Sequence, residues 1–488
     1  MATLHPSTLS HLPTAIEQPG YNRDTTGIGI VHLGPGAFHR AHQAVYTEQA
    51  LAEGGNWQIC GVSLRSDTLK QALAPQDNLY TLMIVDREPA VSIIGSLKEV
   101  LVLKDDRQTV MARMCAAQTC IISLTITEKG YCLDSQDCLD LSHSDIQYDL
   151  SHPQTPRSAI GLLTAALAQR MEEKRSELTI ISCDNLPHNG EKLKAAVLAF
   201  AQQQNPALAT WIDTQICFPD TMVDSITPAS HSGLEATAQQ ATGLHDSWPV
   251  QREAFTQWVI EDNFSGPRPA WEKYGVVFTH DVQVFEKAKL RILNASHSAL
   301  AYIGSLAGFE TVFDAISNTT IKAYIEQLLQ QEILPTIAEN ADLTPQHYAQ
   351  AILKRFENPH IRHLLAQIAW DGSKKLSPRI LDTVRDNLAA SRPIDMLCTV
   401  VAAWIVFVAS QAKAKHPLTD PLAEALYSMA ARHANAITAI ATELLADKRI
   451  FAELVDHQIF RNTTLNKVTL LAECDAQTVL AKIDTLLR

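Results

Sequence analysis

The sequence has little of what marks several large protein classes. Nine cysteines occur in 488 residues, an odd number, and no two are spaced as a CxxC pair. That argues against a disulfide framework and for a reduced, cytoplasmic chain with free thiols. The start, MATLHPSTLSHLP, lacks the basic-then-apolar order of a secretory signal. Basic residues are outnumbered, 40 Lys and Arg against 53 Asp and Glu, for a net charge of −13. A nucleic acid or an anionic membrane would require a basic stripe, so neither is expected as a partner. One basic pocket for a small anion stays compatible with that balance. The longest apolar run, Met396 to Ser410, has 15 residues, short of the ~18 that suggest a membrane span. It reads as a buried core helix. HExxH, GxSxG, internal repeats and low-complexity linkers are all missing, so no catalytic metal and no serine nucleophile are expected.

What is present suits a large soluble core. Hydrophobic residues make up 46% and charged residues 19%, enough for a sizeable core, and 488 residues are enough for two or three domains. The first half mixes short runs rich in Ile, Val and Thr with helical patterns. GIGIVHLG (27–34), WQICGVSL (57–64), TCIISLTIT (119–127) and ELTIISCD (177–184) read as strands, and AIGLLTAALAQRMEEKR (159–175) as a helix. This alternation predicts an α/β, Rossmann-type doubly wound domain over residues 1–282. YTLMIVD and AVSIIGSL suggest an added hairpin or edge pair. From about residue 283 to 488 strand signals become scarce, and a mostly α-helical second domain is expected. Its helical runs include KLRILNASHSALAYIGSLAG, PHIRHLLAQIAWDG and DPLAEALYSMAARHANAITAIATELLAD.

VHLGPGAFHRAH (31–42) begins as a dinucleotide-binding turn should, with Gly34 and Gly36 after an apolar strand. The first glycine permits the tight turn and the second lets backbone approach a pyrophosphate. A histidine, His39, stands where the third glycine should come, so an ordinary turn fits these residues equally well. Asp67 follows the second strand, where a carboxylate can bond an adenosine ribose and repel a 2′-phosphate, favouring NAD. It lies further from the glycines than the usual ~20 residues, and a solvated surface aspartate is the competing reading.

FEKAKLRILNASHSALAY (285–302) carries the richest chemistry. On one regular helix Glu286, Lys289 and His297 would span an arc of roughly 140°, with Asn294 about 60° beyond. Leu290, Ile292, Leu293, Leu300 and Ala301 mark that helix as mostly buried, and buried polar groups must be paired. Asp184 and Asn185 in SCDNLPHNG and Asp224 in FPDTMVDSITP close two shorter stretches. Taken alone, each is a turn signal.

GPGAFHRAHQ, SLTITEKGYC, SCDNLPHNG, FPDTMVDSITP, QWVIEDNF and KLRILNASHSALAY, in this order, resemble the polyol-specific long-chain dehydrogenase/reductase family, from about residue 26 to about 460. That family includes mannitol 2-dehydrogenase and fructuronate reductase (D-mannonate oxidoreductase). Its first turn has the form GxGxFHRAH, so the resemblance implies an NAD cradle made by Gly34, Gly36, Phe38 and Asp67. It implies Lys289 as general base, and Asn185 and Asn294 as donors to the developing alkoxide. His297 would orient the substrate and Glu286 relay the proton. Asp224 and Lys375 would bind substrate hydroxyls. The expected activity is metal-independent, NAD-dependent interconversion of mannitol and fructose.

Within the same family, the alternative is reduction of fructuronate to mannonate. Its substrate's carboxylate needs a positive partner, for which Lys374, Lys375 and Arg379 are available. A non-catalytic NAD or sugar sensor is the rival from another class. Two departures stand out. Ser225 occupies the place of the family's arginine after Asp224. Gln367 matches the fructuronate reductases rather than the mannitol dehydrogenases, whereas ICGVSLRSD, SCDNLPHNG and DSWPV read closer to the latter. The partners expected are small molecules: a sugar alcohol, a ketose or a hexuronate.

Overall fold

The computed structural model describes residues 2–228, 233–339, 342–472 and 474–487. The chain forms two compact units, Met1–Gln283 and Val284–Arg488.

The first unit holds strands β1 (Ile28–Leu33), β2 (Gln58–Ser63), β3 (Tyr80–Ile84), β4 (Ala90–Ile94), β5 (Leu97–Val102), β6 (Ile121–Leu124), β7 (Thr179–Ser182), β8 (Thr221–Asp224), β9 (Val250–Arg252), β10 (Gln257–Glu261) and β11 (Val277–Thr279). Five of them make a parallel sheet in the order β5-β2-β1-β6-β7. Val31 lies opposite both Cys60 and Ile122. Every residue of β1, β6 and β7 is buried, which is why these strands read as continuous apolar runs. Helices Leu103–Cys115, Ala159–Glu172, Asn189–Gln204 and Pro206–Gln215 contribute to one core cluster, with Val110, Leu163, Phe200 and Ile212 against Val31 and Ile122. Helices Gln43–Ala50 and Thr68–Leu73 join a second cluster, with Ala44 and Leu73 beside Ile30, Trp258 and Trp271. The sheet is therefore covered on both faces, the doubly wound arrangement. The chain runs outward through β2 and β5, then returns to β1's other side with β6 and β7, so the order reverses at β1.

The hairpin is β3–β4, antiparallel with Leu82 opposite Ser92. AVSIIGSL is not one strand. It breaks at Gly95–Ser96, and Leu97 opens β5 in the main sheet. Glu48 accepts from the Gly95 N–H (2.8 Å), and the Ser96 hydroxyl donates to the Ala44 carbonyl (2.7 Å), fixing the crossover. A further small sheet, β11-β10-β8, sets Asp224 opposite Gln257.

The second unit is helical. The apolar run lies in a 20-residue helix, Asp395–Ala414, longer than the run itself. By length and composition it could cross a membrane, but 72% of its apolar window is buried in the protein. It packs on helices Gln458–Leu471 and Ala295–Leu306. At its start the buried Glu332 carboxylate accepts from Met396 N–H and Leu397 N–H, both at 2.8 Å. Two expected helices are shorter than the periodicity suggests. PHIRHLLAQIAWDG keeps only Leu365–Ile368, and the last long run breaks into Ala423–Arg432 and Ile437–Leu444. Ala434 and Asn435, both at positive φ (48° and 63°), force the second break.

Candidate coenzyme cleft and active site

β1 ends at Leu33 and the chain turns through Gly34 at φ 86°. A Cβ on Gly34 would stand 2.3 Å from the Thr125 carbonyl oxygen, so only glycine fits. The Gly34 N–H donates to Val62 O (2.9 Å), and the Thr125 hydroxyl donates to Gly34 O (2.7 Å). The turn is thereby tied to β2 and to the end of β6. Gly36 precedes the short helix Ala37–Ala41, and the nearest atom to a Cβ there is Gly34 O, 3.8 Å away. Nothing in the protein itself requires that glycine; it leaves room for something approaching from the cleft. The cleft measures about 710 Å3 and is lined by Gly34, Gly36, Arg40, Arg65, Thr127 and Lys129 among others. It opens beyond the carboxyl ends of β1, β2 and β6, where the strand order reverses, which is where open α/β sheets hold dinucleotides.

His39 does not widen the turn. Its ring stacks on His32, on β1 below. His32 in turn bonds Ser123 and Thr125 through its two ring nitrogens, 2.8 Å each. Burial holds His32 down to about 3 and His39 well below its ordinary value, so both rings are neutral. Arg40 is almost fully buried at the cleft, donating to Trp248 O at 2.7 Å. Burial lowers its guanidinium to about 10.

Asp67 and Phe38, the other two residues expected at the coenzyme, make local contacts beside the cleft. Asp67 precedes helix Thr68–Leu73, and its carboxylate takes a hydrogen bond from Gln71 at 2.9 Å. The cleft wall at this point is Ser63, Leu64, Arg65, Ser66 and Leu69, without Asp67. Phe38 is also outside the lining; it packs on the core beside Ile30 and stacks on His42 (5.0 Å between centroids) because its helix turns that face inward.

The residue that sequence reading undervalued is Asp184. Its carboxylate accepts from Ile126 N–H (3.0 Å), Thr127 N–H (2.8 Å) and the Tyr131 hydroxyl (2.7 Å). It thus pins the loop after β6 that lines the cleft, including Thr127 at φ 66°. Asn189, fully buried, bridges Asp184 O and Thr221 at 3.0 Å, joining this corner to β8. Asn185 is exposed beside it, and Asp224 is buried at the end of β8.

In the second unit, the helical run over residues 282–306 is not regular. Helix Val282–Ala288 passes into a π-helical turn, Lys289–Asn294, before helix Ala295–Leu306 resumes. A π turn inserts about one residue, so the phase shifts by roughly 100° and the simple wheel does not hold. Glu286, Lys289 and Asn294 are half-buried, and His297 is buried. Another π turn, Ser377–Leu381, packs against the Lys289–Asn294 turn. Lys375 precedes it, 3.8 Å from Asp371. Arg379, within it, donates to Ser298 at 3.4 Å. Burial, then the charges of His363, Arg355 and Arg379, keep His297 well below its ordinary value. Burial, then Arg379, lower Lys375. The charge of Arg379 thus acts on both His297 and Lys375. The glycine turn, Asn185 and Asp224 belong to the first unit, and Glu286, Lys289, Asn294, His297 and Lys375 to the second.

Two family patterns cover most of the sequence: the mannitol dehydrogenase Rossmann domain over residues 28–273, and the mannitol dehydrogenase C-terminal domain over 281–471. The chain belongs to the mannitol dehydrogenase family. Escherichia coli D-mannonate oxidoreductase is 43% identical over 81% of this chain and 82% of its own. Mannitol 2-dehydrogenase of Phaeosphaeria nodorum is 38% identical over 92% and 82%. The ternary complex of Pseudomonas fluorescens mannitol 2-dehydrogenase with NAD and D-mannitol superposes with a TM-score of 0.83, at 34% identity and 99% coverage of both chains.

Against that mannitol dehydrogenase background, the departure at Ser225 has a local substitute. Its hydroxyl donates to Phe255 O at 3.0 Å. Gln367 is exposed, in helix Leu365–Ile368. Among the described residues one compact group of metal-ligand type does occur, His188 and Glu191 with the distant Asp220, their ligand atoms within 4.8 Å. Asp220 there accepts from Gly190 N–H (2.8 Å) and Glu191 N–H (3.1 Å), which caps helix Asn189–Gln204.

Proposed function

We propose that this chain is an NAD-dependent dehydrogenase. It interconverts a secondary alcohol of an open-chain six-carbon substrate, mannitol or its sugar-acid counterpart mannonate, with the matching ketone. The carrying observation is Lys289 at the head of a buried-sided π turn, with Glu286 one turn before it and Asn294 closing it. A binding protein has no use for a base there. The turn at Gly34 and Gly36, the tethered loop at Thr127 and the cations Arg40, Arg65 and Lys129 suit a dinucleotide diphosphate. Bound in that cleft, NAD supplies the hydride acceptor.

In the oxidation, the carbinol C–H electron pair leaves as hydride and the hydroxyl proton passes to the Lys289 amine, leaving the ketone. Lys289 must be neutral to accept it, which requires its affinity for protons to fall below the ordinary ~10.4. The family resemblance gives Asn185 and Asn294 the role of donors to the oxygen as negative charge builds, an oxyanion hole without metal. By the same resemblance Glu286 would carry the proton onward, His297 orient the substrate, and Asp224 and Lys375 bind its hydroxyls. Nine unpaired thiols fit a reducing, cytoplasmic setting.

The test is a panel of polyols, ketoses and keto-uronates followed by NADH absorbance, with and without EDTA. Turnover of at least one six-carbon pair, unaffected by EDTA, is expected. NADH binding without turnover of any would favour the sensor reading, and loss of activity in EDTA would contradict the metal-free mechanism.

A further inference from the structure

Arg379 stands out among the cations of the second unit. Its guanidinium has five N–H donors in a flat fork. The structure gives it one hydrogen-bond acceptor, the Ser298 hydroxyl at a long 3.4 Å. It forms no ion pair with a carboxylate among the described residues. Burial lowers it from its ordinary value, and only the Tyr302 phenol opposes that. A half-buried guanidinium without a counter-charge is costly, and proteins keep one mainly where a ligand brings the anion. By contrast, Arg291 on the π turn Lys289–Asn294 is paired with Asp386 at 2.7 Å, and Lys375 has Asp371 nearby.

The surroundings point the same way. His297 Nε2 is buried with no hydrogen-bond partner, as is His363 Nδ1, and the two rings meet edge to face at 5.1 Å. The charges that act on His297 come from His363, Arg355 and Arg379, all of them basic groups. Ser298, which holds Arg379, is next to His297, and the turn bearing Arg379 packs on the turn bearing Lys289. A neutral polyol offers hydroxyls to such a place but no charge.

We propose that Arg379 binds the terminal carboxylate of the substrate, so that the chain prefers a six-carbon sugar acid and its keto-acid to the neutral hexitol and ketose. A fork facing a carboxylate makes two parallel charge-assisted bonds, and Lys375 adds charge beside it. This rests on the dehydrogenase reading above and selects among its substrates.

The experiment is kcat/KM for D-fructuronate and for D-fructose with NADH, in the wild type and in Arg379→Met and Arg379→Lys, with NADH fluorescence titration confirming that each variant is folded. The wild type should favour fructuronate. In Arg379→Met the fructuronate-to-fructose ratio should fall about 100-fold, through KM rather than kcat, as loss of charged hydrogen bonds predicts. Arg379→Lys should fall between, since it keeps the charge and loses the fork. An unchanged ratio in Arg379→Met, or a wild type that prefers fructose, overturns the role of Arg379 and leaves the dehydrogenase reading standing. Turnover of neither substrate overturns both.

Discussion

The imidazoles of His32 and His39 lie ring on ring, 3.4 Å between centroids and 11° from parallel. In the dinucleotide fingerprint a third glycine allows helix and strand to pack closely. Here two flat neutral rings fill the same gap, and the lower ring reaches the Ser123 and Thr125 hydroxyls that flank the turn. His39→Ala removes one of the two rings. It should destabilise the protein by about 2 kcal/mol through the cavity left behind. It should also weaken NADH binding roughly tenfold, since the turn above loses its support. Thermal melting and fluorescence titration check the two effects.

The same pair predicts how stability depends on pH. His32 titrates at about 3 when folded, and His39 is also held well down, whereas an unfolded histidine titrates near 6.5. Between those values the unfolded chain holds protons that the native state refuses. Stability is therefore full above pH ~6.5 and falls as pH drops toward 3, by at most ~1.4 kcal/mol per pH unit for each ring. Replacing His39 with Ala should flatten the melting-temperature slope between pH 6.5 and 5. An unaltered slope would mean that His39 accepts a proton in the native state.

Gly34 and Gly36 should separate fold from function. Gly34→Ala places a methyl 2.3 Å from a backbone oxygen at φ 86°, and should cost roughly 3 kcal/mol or more. Gly36→Ala meets nothing in the protein closer than 3.8 Å. Its melting temperature should stay near wild type while NADH affinity drops. Equal NADH affinity in Gly36→Ala and wild type would show that the coenzyme does not approach that backbone.

Asp184 is expected to act on the coenzyme from behind the loop. Asp184→Ala leaves two backbone N–H groups without their acceptor and takes from the Tyr131 hydroxyl one of its two partners, the other being Ser182. A loss of about 3 kcal/mol in stability is predicted, with a raised KM for NADH and a smaller change in kcat. Asp184→Asn, which keeps the shape and one carbonyl oxygen, should restore part of both. A change in kcat alone would place Asp184 in the chemistry instead of the loop.

Much of the first unit was legible because β1, β2, β6 and β7 are apolar runs ended by turn residues. β5 was not, because LKEVLV enters helix Leu103–Cys115 without any glycine, proline or side-chain cap at Val102. Helical periodicity located the second unit but carries no mark for a π turn, so the placement of Asn294 and His297 relative to Lys289 required coordinates. Spacing likewise hid the long-range partners: Asp184 with the loop at Ile126–Tyr131, and His188 and Glu191 with Asp220. At Asp67, position after a strand suggests a ribose contact, and the carboxylate also takes a local hydrogen bond from Gln71 that spacing alone does not reveal.

The central claim is that the Lys289 amine moves the proton. Its most direct test is Lys289→Ala assayed with the substrate that the panel identifies, alongside NADH titration and added methylamine. The account predicts a fall in kcat of about 10³-fold or more, unchanged NADH affinity, and partial recovery with methylamine that grows as pH rises and more of the amine is neutral. Turnover close to wild type in Lys289→Ala would contradict it.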